Sequence, residues 1–451
     1  MKLRTKGYAL CASMASIFFM GCQKETTPIV ITPQHYYLAT DKITEIMIHD
    51  IFSPPVASRI FAYPNVAAYE IIASHNKKYN SLSGQLHGLT PIPVFDETNG
   101  TLNPQLAALI AHIEVSRELI FSEDRIIELR DSLYNVWETA NKTEFEIARK
   151  YGLEVASHIK LWLDKDNYKQ TRTMPKYTVT SNDPSKWQPT PPGYMDGIEP
   201  HWAKIRTFVI DSSSQFKPIP PPAFSLDKKS EFYKELIEVY NIGNATFEKG
   251  DESEEVKIAQ FWDCNPYVSV TRGHLMFATK KITPGAHWMG IAKIASLKTN
   301  SDFDDSVFAA TKTSLAIADA FISCWDEKYR SNLIRPETLI NQYIDENWKP
   351  ILQTPPFPEY TSGHSVVSGA ASTALTDIFG DNFQFDDDTE VPFGLPVRSF
   401  SSFNEAADEA AISRMYGGIH YRAAVEVGVK QGRDLGKFVV EKLKMKNNNL
   451  K

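Results

Sequence analysis

The sequence predicts an all-α fold. Apolar residues recur at helical spacing in many segments, as with Tyr151, Val155 and Ile159 in one of them. The strict apolar–polar alternation that is typical of half-buried strands is scarce. The chain has 451 residues, of which 42% are hydrophobic and 23% charged, so it can build a large core. These observations favour a helical globular protein with long connections.

Helical periodicity defines the elements in chain order. Pro64 lies inside the second of them and is expected to kink or divide it, because proline cannot donate a helical hydrogen bond. The predicted helical segments are 41–51, 56–72, 103–118, 123–138, 142–164, 229–241, 252–263, 285–297, 302–329, 365–378, 402–416 and about 420–443.

Residues 182–226 differ from the rest of the chain because they are rich in proline and also contain Trp187, Trp202 and Phe208. Flexible linkers seldom carry so many large aromatic side chains, so we expect an ordered loop packed over the helices. We predict an N-terminal helical region at 41–300 that includes this loop. The region at 301–446 is expected to pack against it in one domain.

The N-terminus indicates export. Three basic residues precede an apolar stretch at 8–20, which has the pattern of a signal peptide covering residues 1–21. The stretch ends in Gly21-Cys22 and so resembles a bacterial lipoprotein signal. We expect lipidation of Cys22, a tether at 22–40 and a membrane-anchored protein facing the periplasm or cell surface. A plain signal peptide is the alternative.

Charge and cysteine content exclude several classes of protein. The net charge of -7 argues against a general nucleic-acid or anionic-membrane binder, so any anion site must be local. Apart from Cys11 in the signal and Cys22, only Cys264 and Cys324 remain. They permit one disulfide, and no Cys-x-x-Cys pair indicates zinc or redox chemistry.

A proline-stiffened loop at 355–361 leads into Ser362-Gly363-His364 and then a helical run that stops at Gly380. A hydroxyl, a backbone N–H and an imidazole therefore lie where a helix presents partial positive charge. The sequence predicts an oxyanion site at this helix N-terminus.

Further cations and a second imidazole surround this loop in sequence. Lys328 and Arg335 precede it, and Arg414 and His420 follow it. Guanidinium groups bind pairs of oxygens and an ammonium adds a point charge. Together with the loop, these residues supply what a tetrahedral oxyanion needs.

The spacing of these residues resembles that of the vanadium-dependent haloperoxidases and the type 2 phosphatidic acid phosphatases. Lys-x6-Arg-Pro occupies 328–336, Ser-Gly-His occupies 362–364, and Ser-Arg-x5-His occupies 413–420. The resemblance covers roughly 325–430 and implies a helical bundle of this superfamily, with the anion site at one end of its core.

The resemblance also implies a role for each residue. His420 would bind vanadium or attack phosphorus, and His364 would be the acid–base group, with Lys328 as a further catalytic residue. The cofactor would be vanadate, or phosphate in the same site. The oxyanion would be held by Lys328, Arg335, Ser362, the Gly363 N–H, Arg414 and His420.

Two positions depart from the family pattern. Thr361 replaces the proline before Ser362, and Ala424 replaces an aspartate four residues after His420. The missing carboxylate would support the site from behind the histidine. Glu426, Asp263 or another acid is expected to compensate.

Several reactions fit the site. A haloperoxidase would oxidise bromide or chloride with hydrogen peroxide, and the resemblance places Phe357 and Trp325 beside the halide. A phosphatase would hydrolyse phosphate monoesters through a phosphohistidine. The third reading is a non-catalytic lipoprotein that binds an oxyanion. The large helical N-terminal region and the two aromatic residues favour the haloperoxidase.

Other polar residues are interpreted as structural. The run at 386–388 is expected to be a solvated loop, with a calcium site as the alternative. His287 is taken as structural or exposed, and Trp288 as part of the core.

Overall fold

The structure is a computed structural model that describes residues 27–250, 252–266, 269–272, 275–278 and 281–447. The predictions for the signal peptide and for Cys22 lie outside the described residues. Within them the chain forms fourteen α-helices and two antiparallel β-hairpins. The all-α prediction is therefore confirmed.

The first six helices lie before the proline-rich segment. They are α1 (Pro33–His49), α2 (Pro54–His75), α3 (Pro104–Arg117), α4 (Glu123–Ala140), α5 (Lys142–Leu163) and the short α6 (Tyr168–Thr171). The helices after it are α7 (Glu231–Lys249), α8 (Glu254–Phe261), α9 (Pro284–Lys298), α10 (Phe303–Ser331), α11 (Pro336–Tyr343), α12 (Gly363–Phe379), α13 (Phe403–Tyr416) and α14 (Arg422–Lys442).

The hairpins are small. Strands β1 (Ser269–Arg272) and β2 (Leu275–Ala278) form the first, with Val270 opposite Phe277. Strands β3 (Phe385–Asp387) and β4 (Arg398–Phe400) form the second, with Asp386 opposite Ser399. Three single-turn 3-10 helices complete the described elements, at Glu97–Asn99, Trp202–Lys204 and Val391–Phe393.

Local sequence signals explain where several helices begin. The side chains of Ser53, Asn103 and Thr283 accept backbone N–H bonds at the starts of α2, α3 and α9. A proline follows each cap, where its missing N–H costs nothing and its fixed φ suits a helix. Pro64 does not divide α2, which runs unbroken from Pro54 to His75.

Helix α10 lies at the centre of the fold. It packs against α2, α9, α12 and α14. Among the described helices it alone is long and apolar enough to cross a membrane, and the apolar window that meets this test is fully buried inside the protein. Because the other helices bury this window completely, α10 is a core helix of the fold.

Helices α12 and α14 make the most extensive helix–helix contact, which depends on glycine. A Cβ on Gly369 would lie 2.6 Å from the Val429 carbonyl oxygen, and one on Gly432 would overlap the Val366 carbonyl. The two backbones therefore approach more closely than any side chain would allow. This contact fixes α14 against the helix that begins at Ser362.

The tether predicted at 22–40 is wrong for its described part. Ile29 and Ile31 are buried, and α1 already begins at Pro33. Tyr36 and Tyr37 lie in the main core. Burial of these apolar side chains against α3 and α10 stabilises the folded chain, whereas a solvated tether would leave them exposed to water.

The proline-rich segment at 182–226 is ordered, as predicted. Trp187, Trp202 and Phe208 are all buried. The segment is anchored to α10 because the Asp319 carboxylate accepts the backbone N–H groups of Phe208, Val209 and Ile210 at 2.7, 2.7 and 3.0 Å. This loop therefore belongs to the folded unit.

Candidate active site

Three connections, α10–α11, α11–α12 and α13–α14, bring the predicted site residues to one end of the bundle. Lys328 lies in the last turn of α10, and Arg335 is the N-cap residue of α11. Ser362 caps α12, while Arg414 lies in the last turn of α13. His420 precedes α14, and together with His364, Gly363, Arg414, Trp325 and Phe357 it lines one cavity.

The start of α12 shows how the Ser-Gly-His segment is held. The Ser362 Oγ accepts the Ser365 N–H at 3.3 Å, and the Ser362 N–H donates to the Ala424 carbonyl at 3.0 Å. Gly363 follows as the first helical residue, so its N–H has no acceptor within the helix. A donor and partial positive charge are thus available at the cavity.

His420 is oriented by a carboxylate that the sequence analysis did not identify. Its Nδ1 lies 2.6 Å from the Glu359 Oε1, which also accepts the Tyr421 N–H at 3.0 Å. Arg335 Nη1 lies 3.1 Å from His420 Nε2, and a guanidinium can only donate. Nε2 therefore keeps its lone pair, and Nδ1 carries the imidazole proton and donates it to Glu359.

Glu359 occupies the supporting place left by Ala424. The two acids named as replacements are engaged elsewhere, because Glu426 pairs with Arg422 on the surface and Asp263 pairs with Lys281. Of the three alternatives, neither Glu426 nor Asp263 supports His420, and another acid, Glu359, does so. Burial raises the pKa of Glu359 to about 8, although the nearby cations oppose the shift.

Arg335 is buried and partly committed. Its Nε donates to the Phe357 carbonyl at 3.0 Å and its Nη1 to the Ile419 carbonyl at 2.9 Å. Its Nη2 has no hydrogen-bond partner within the described part of the chain. Burial lowers the pKa of Arg335 to about 10, so the group stays charged at neutral pH.

Arg414 is fixed by its own helix and by the segment after α8. Its Nε donates to the Ser413 Oγ at 3.0 Å, and its Nη2 donates to the Trp262 carbonyl at 2.7 Å. The segment after α8 therefore positions this guanidinium. Burial lowers the pKa of Arg414, while Asp263 and Cys264 oppose that shift.

Lys328 differs from the expectation that it holds an oxyanion oxygen. Its ammonium donates to the carbonyls of Pro358, Glu359 and Thr361 at 3.0, 3.0 and 2.6 Å. An ammonium has three donors, so these bonds use its full capacity. Burial lowers the pKa of Lys328 to about 8. In this arrangement Lys328 acts on the cavity through its charge and organises the loop.

His364 has an unused nitrogen. Its Nε2 is buried and has no hydrogen-bond partner among residues that the structure describes. Burial, followed by the charge of Arg414, lowers the pKa of His364 well below its ordinary value. The imidazole is therefore neutral at neutral pH and can accept a proton.

Phe357 and Trp325 form the apolar wall of the cavity. Their ring centroids lie 5.0 Å apart at 53°. The Lys328 Nζ lies 5.0 Å and the Arg335 Cζ 5.2 Å from the Phe357 centroid. The wall is thus apolar but lies in a positive field, which suits a weakly hydrated anion.

The residues present fit a tetrahedral oxyanion. Arg335 Nη2 and His364 Nε2 are buried polar atoms without partners in the described chain. Such atoms are costly unless a ligand satisfies them. The lone pair on His420 Nε2 can bond the central atom of an oxyanion such as vanadate, and the start of α12 can receive its oxygens.

A second cluster next to the cavity corrects the expectation for Asp387 and bears on two further interpretations. Asp387 in the run at 386–388 is buried rather than solvated and lies 2.8 Å from His287. Cys264 and Cys324 are both free, so they form no disulfide. Trp288 is buried, as predicted.

Fold and site together define a helical enzyme that works through a bound oxyanion. The crystal structure of a bacterial vanadium-dependent iodoperoxidase matches this chain with 70% sequence identity and a TM-score of 0.91. That match covers 94% of this chain and all of the other. The chain therefore belongs to the vanadium-dependent haloperoxidase family. The predicted membership is confirmed, and it selects the haloperoxidase over the phosphatase reading.

Other comparisons agree. A profile for the VCPO second helical-bundle domain matches residues 341–449. The vanadium-dependent bromoperoxidase of Corallina officinalis is 40% identical over 78 residues, which is 15% of this chain and only 13% of that protein. A holo-type bacterial vanadium-dependent chloroperoxidase is 17% identical with a TM-score of 0.66, over 87% of this chain and 93% of the other. This last likeness shows the fold alone.

Proposed function

We propose that this protein oxidises iodide with hydrogen peroxide, using vanadate bound to His420. Iodide replaces the bromide or chloride expected from the sequence, because the 70% identical relative is described as an iodoperoxidase. The observation that carries the proposal is the state of His420. Its Nδ1 is held by Glu359 at 2.6 Å, which leaves Nε2 as a ligand atom beside Arg335, whose Nη2 is buried and has no partner in the described chain.

The proposed vanadate site draws on several kinds of donor. When bound, vanadate supplies a Lewis acid that binds and activates peroxide. Arg335 offers its free Nη2, and Arg414 adds a second guanidinium that lines the cavity. Ser362 and the Gly363 N–H contribute donors at the start of α12. Lys328 contributes positive charge, since its own donors are bonded to the loop.

His364 is the proposed acid–base residue. Because its pKa is lowered, its Nε2 is free to take a proton from hydrogen peroxide at neutral pH. The protonated imidazole can then give that proton to the peroxide oxygen that leaves as water. This transfer is favourable because a second positive charge beside Arg414 is costly.

Phe357 and Trp325 form the proposed halide pocket. Iodide is large and weakly hydrated, so an apolar wall under the field of two cations binds it at low desolvation cost. Chloride is hydrated more strongly and gains less from such a wall. We therefore expect iodide to be oxidised most efficiently and bromide less efficiently.

The test is halide oxidation by the purified protein with peroxide, with and without orthovanadate. We expect vanadate-dependent oxidation of iodide that His420→Ala abolishes, whereas His158→Ala at an exposed position keeps full activity. Iodide oxidation that is unaffected by His420→Ala, or that does not require vanadate, would contradict the proposal. Phosphate-ester hydrolysis inhibited by vanadate, without iodide oxidation, would show that the site hydrolyses phosphate monoesters and would also contradict the proposal.

We also propose that the protein is exported and anchored through a lipid on Cys22. The basic, apolar and Gly-Cys pattern at 1–22 supports this proposal. The wild-type protein is expected in the detergent phase of a cloud-point partition, and Cys22→Ser in the aqueous phase. Cys11→Ser is the matched control, and equal partition of all three proteins would contradict anchoring at Cys22.

A further inference from the structure

A buried cluster of metal-ligand side chains lies beside the cavity and has no part in the proposed reaction. Cys264 follows α8, His287 lies in the first turn of α9, and Glu390 caps the 3-10 helix at Val391–Phe393. Their relative exposures are 1%, 0% and 5%. One potential ligand atom from each lies within 4.8 Å of the others.

The ligand atoms are spaced as in a tetrahedral zinc site. Cys264 Sγ lies 3.5 Å from His287 Nδ1 and 3.9 Å from Glu390 Oε1, and the last two atoms are 3.3 Å apart. Ordinary zinc bond lengths and tetrahedral angles place such sulfur, nitrogen and oxygen ligands about 3.5, 3.5 and 3.3 Å apart. A zinc ion therefore needs only a small movement of the Glu390 side chain.

Asp387 supplies the support that zinc histidines usually have. Its Oδ2 lies 2.8 Å from His287 Nε2, on the ring side opposite Cys264 and Glu390. A carboxylate in this place holds the proton on Nε2 and leaves Nδ1 as the ligand atom. The ring is further fixed by stacking on Trp262, with centroids 4.4 Å apart at 16°.

We propose that Cys264, His287 and Glu390 bind one Zn²⁺ ion, with Asp387 orienting the histidine. Thiolate, imidazole and carboxylate together suit zinc better than calcium or magnesium. Three protein ligands leave one position for water, so the site is open rather than closed by four protein ligands. None of its ligands is a proposed vanadate ligand, although Cys264 lines the same cavity as His420.

Zinc binding at this cluster releases protons. A zinc thiolate and a zinc-bound imidazole nitrogen carry no proton, so any proton on Cys264 Sγ or His287 Nδ1 leaves to solvent when the ion binds. Asp387 holds the remaining proton on His287 Nε2, so the bound imidazole is neutral.

The site would tie together three segments that support the oxyanion site. Trp262 stacks on His287, and its carbonyl accepts the bond from Arg414. A metal at Cys264 would hold the segment after α8 against α9 and against the segment that runs from β3 to Glu390. Without metal, the same side chains form a hydrogen-bonded ion cluster, which is the competing account.

The test uses full-length protein without vanadate. After loading with Zn²⁺ and desalting, we expect one zinc per chain by plasma mass spectrometry. Co²⁺ loading should give thiolate-to-cobalt charge-transfer absorption in the near ultraviolet. Cys264→Ser should lose this band, while Cys324→Ser, which alters the other buried free cysteine, should keep it.

Two further measurements keep the proposal testable if Cys264→Ser does not fold. X-ray absorption at the zinc edge of the wild-type protein should show one sulfur ligand. Asp387→Asn should weaken zinc binding about 10- to 100-fold. Loss of all zinc on desalting, or a cobalt band that survives in Cys264→Ser, would overturn the proposal. Iodide oxidation in the same preparations tests the enzymatic function separately.

Discussion

At the scale of single residues, the site depends on pairings between distant positions. The Glu359–His420 bond joins residues 61 positions apart. Lys328 bonds to carbonyls 30 to 33 positions away.

Motif spacing identified the charged residues, because their types follow from the chemistry of an oxyanion. It did not identify Glu359, because nothing in the sequence shows which carboxylate the folded loop turns toward His420. An acid inside an otherwise apolar proline-rich loop was the available signal.

Glu359→Ala should weaken vanadate binding about 10- to 100-fold, as loss of a carboxylate that orients a metal-binding histidine usually does. Glu359→Gln should recover much of the affinity, because its amide oxygen can still accept the Nδ1–H of His420. Vanadate affinity can be measured from the concentration that restores iodide oxidation.

Glu426→Ala is the matched control for this substitution, because that acid pairs with Arg422 at the surface. It should leave vanadate affinity unchanged. Equal losses in Glu359→Ala and Glu426→Ala, or no loss in either, would show that Glu359 does not position His420.

His112 should make the protein sensitive to mild acid. Burial lowers its pKa to about 3, its Nε2 bonds the Asn65 Oδ1 at 3.1 Å, and its Nδ1 has no acceptor in the described chain. The folded state therefore resists protonation, whereas the unfolded chain takes a proton below about pH 6.5. Stability is present above that pH and is lost as pH falls toward 3. Between pH 7 and pH 5 the loss is about 2 kcal/mol.

Chemical unfolding of wild-type protein and His112→Gln at both pH values measures this effect. The variant should lose about 2 kcal/mol less than the wild type on going to pH 5. His158→Gln, at an exposed position, should behave like the wild type. The same pH dependence in wild type and His112→Gln would exclude His112 as its source.

At the scale of elements, the sequence predicted most helices closely. The predicted segment 302–329 became Phe303–Ser331, and 142–164 became Lys142–Leu163. These ends are marked by polar caps and apolar periodicity, which act locally. The described part of the tether at 22–40 was wrong, and in the acidic run at 386–388 the expectation of a solvated side chain was wrong for Asp387, because burial there comes from distant partners. Ile29 packs into the main core, and Asp387 is covered where it meets His287.

Gly432→Ala should strongly destabilise the contact between α12 and α14. The added methyl would overlap the Val366 carbonyl, which is backbone and cannot rotate away. We expect a loss of about 3 kcal/mol or more, at the upper end of overpacking substitutions. Lys437→Ala on the exposed face of α14 is the control and should change stability by less than about 0.5 kcal/mol. Similar thermal midpoints for both variants would mean that the helices can separate without cost.

At the scale of the whole molecule, one apolar core links the chain from Ile29 to Met445. The N-terminal segment therefore belongs to the folded unit, and a chain that begins at residue 41 should be less stable than one that begins at 27. It lacks the buried side chains of Ile29, Ile31, Tyr36 and Tyr37, each of which contributes about 1.5–3 kcal/mol on burial.

Thermal unfolding of the two shortened chains, compared with the full-length protein, checks this expectation. The chain from residue 27 should retain the midpoint of the full-length protein, and the chain from residue 41 should unfold at least several degrees lower. Equal midpoints for both shortened chains would restore the view of 27–40 as a tether.

The loop at 355–361 serves three groups at once. Phe357 forms the wall of the proposed halide pocket, Glu359 holds His420, and the carbonyls of Pro358 and Thr361 bind Lys328. Halide preference and cofactor retention are consequently not independent traits of this enzyme. Many members of a library that randomises the loop to change the oxidised halide will therefore also bind vanadate less tightly. Productive specificity variants should instead come from Trp325, which lies on α10 outside the loop.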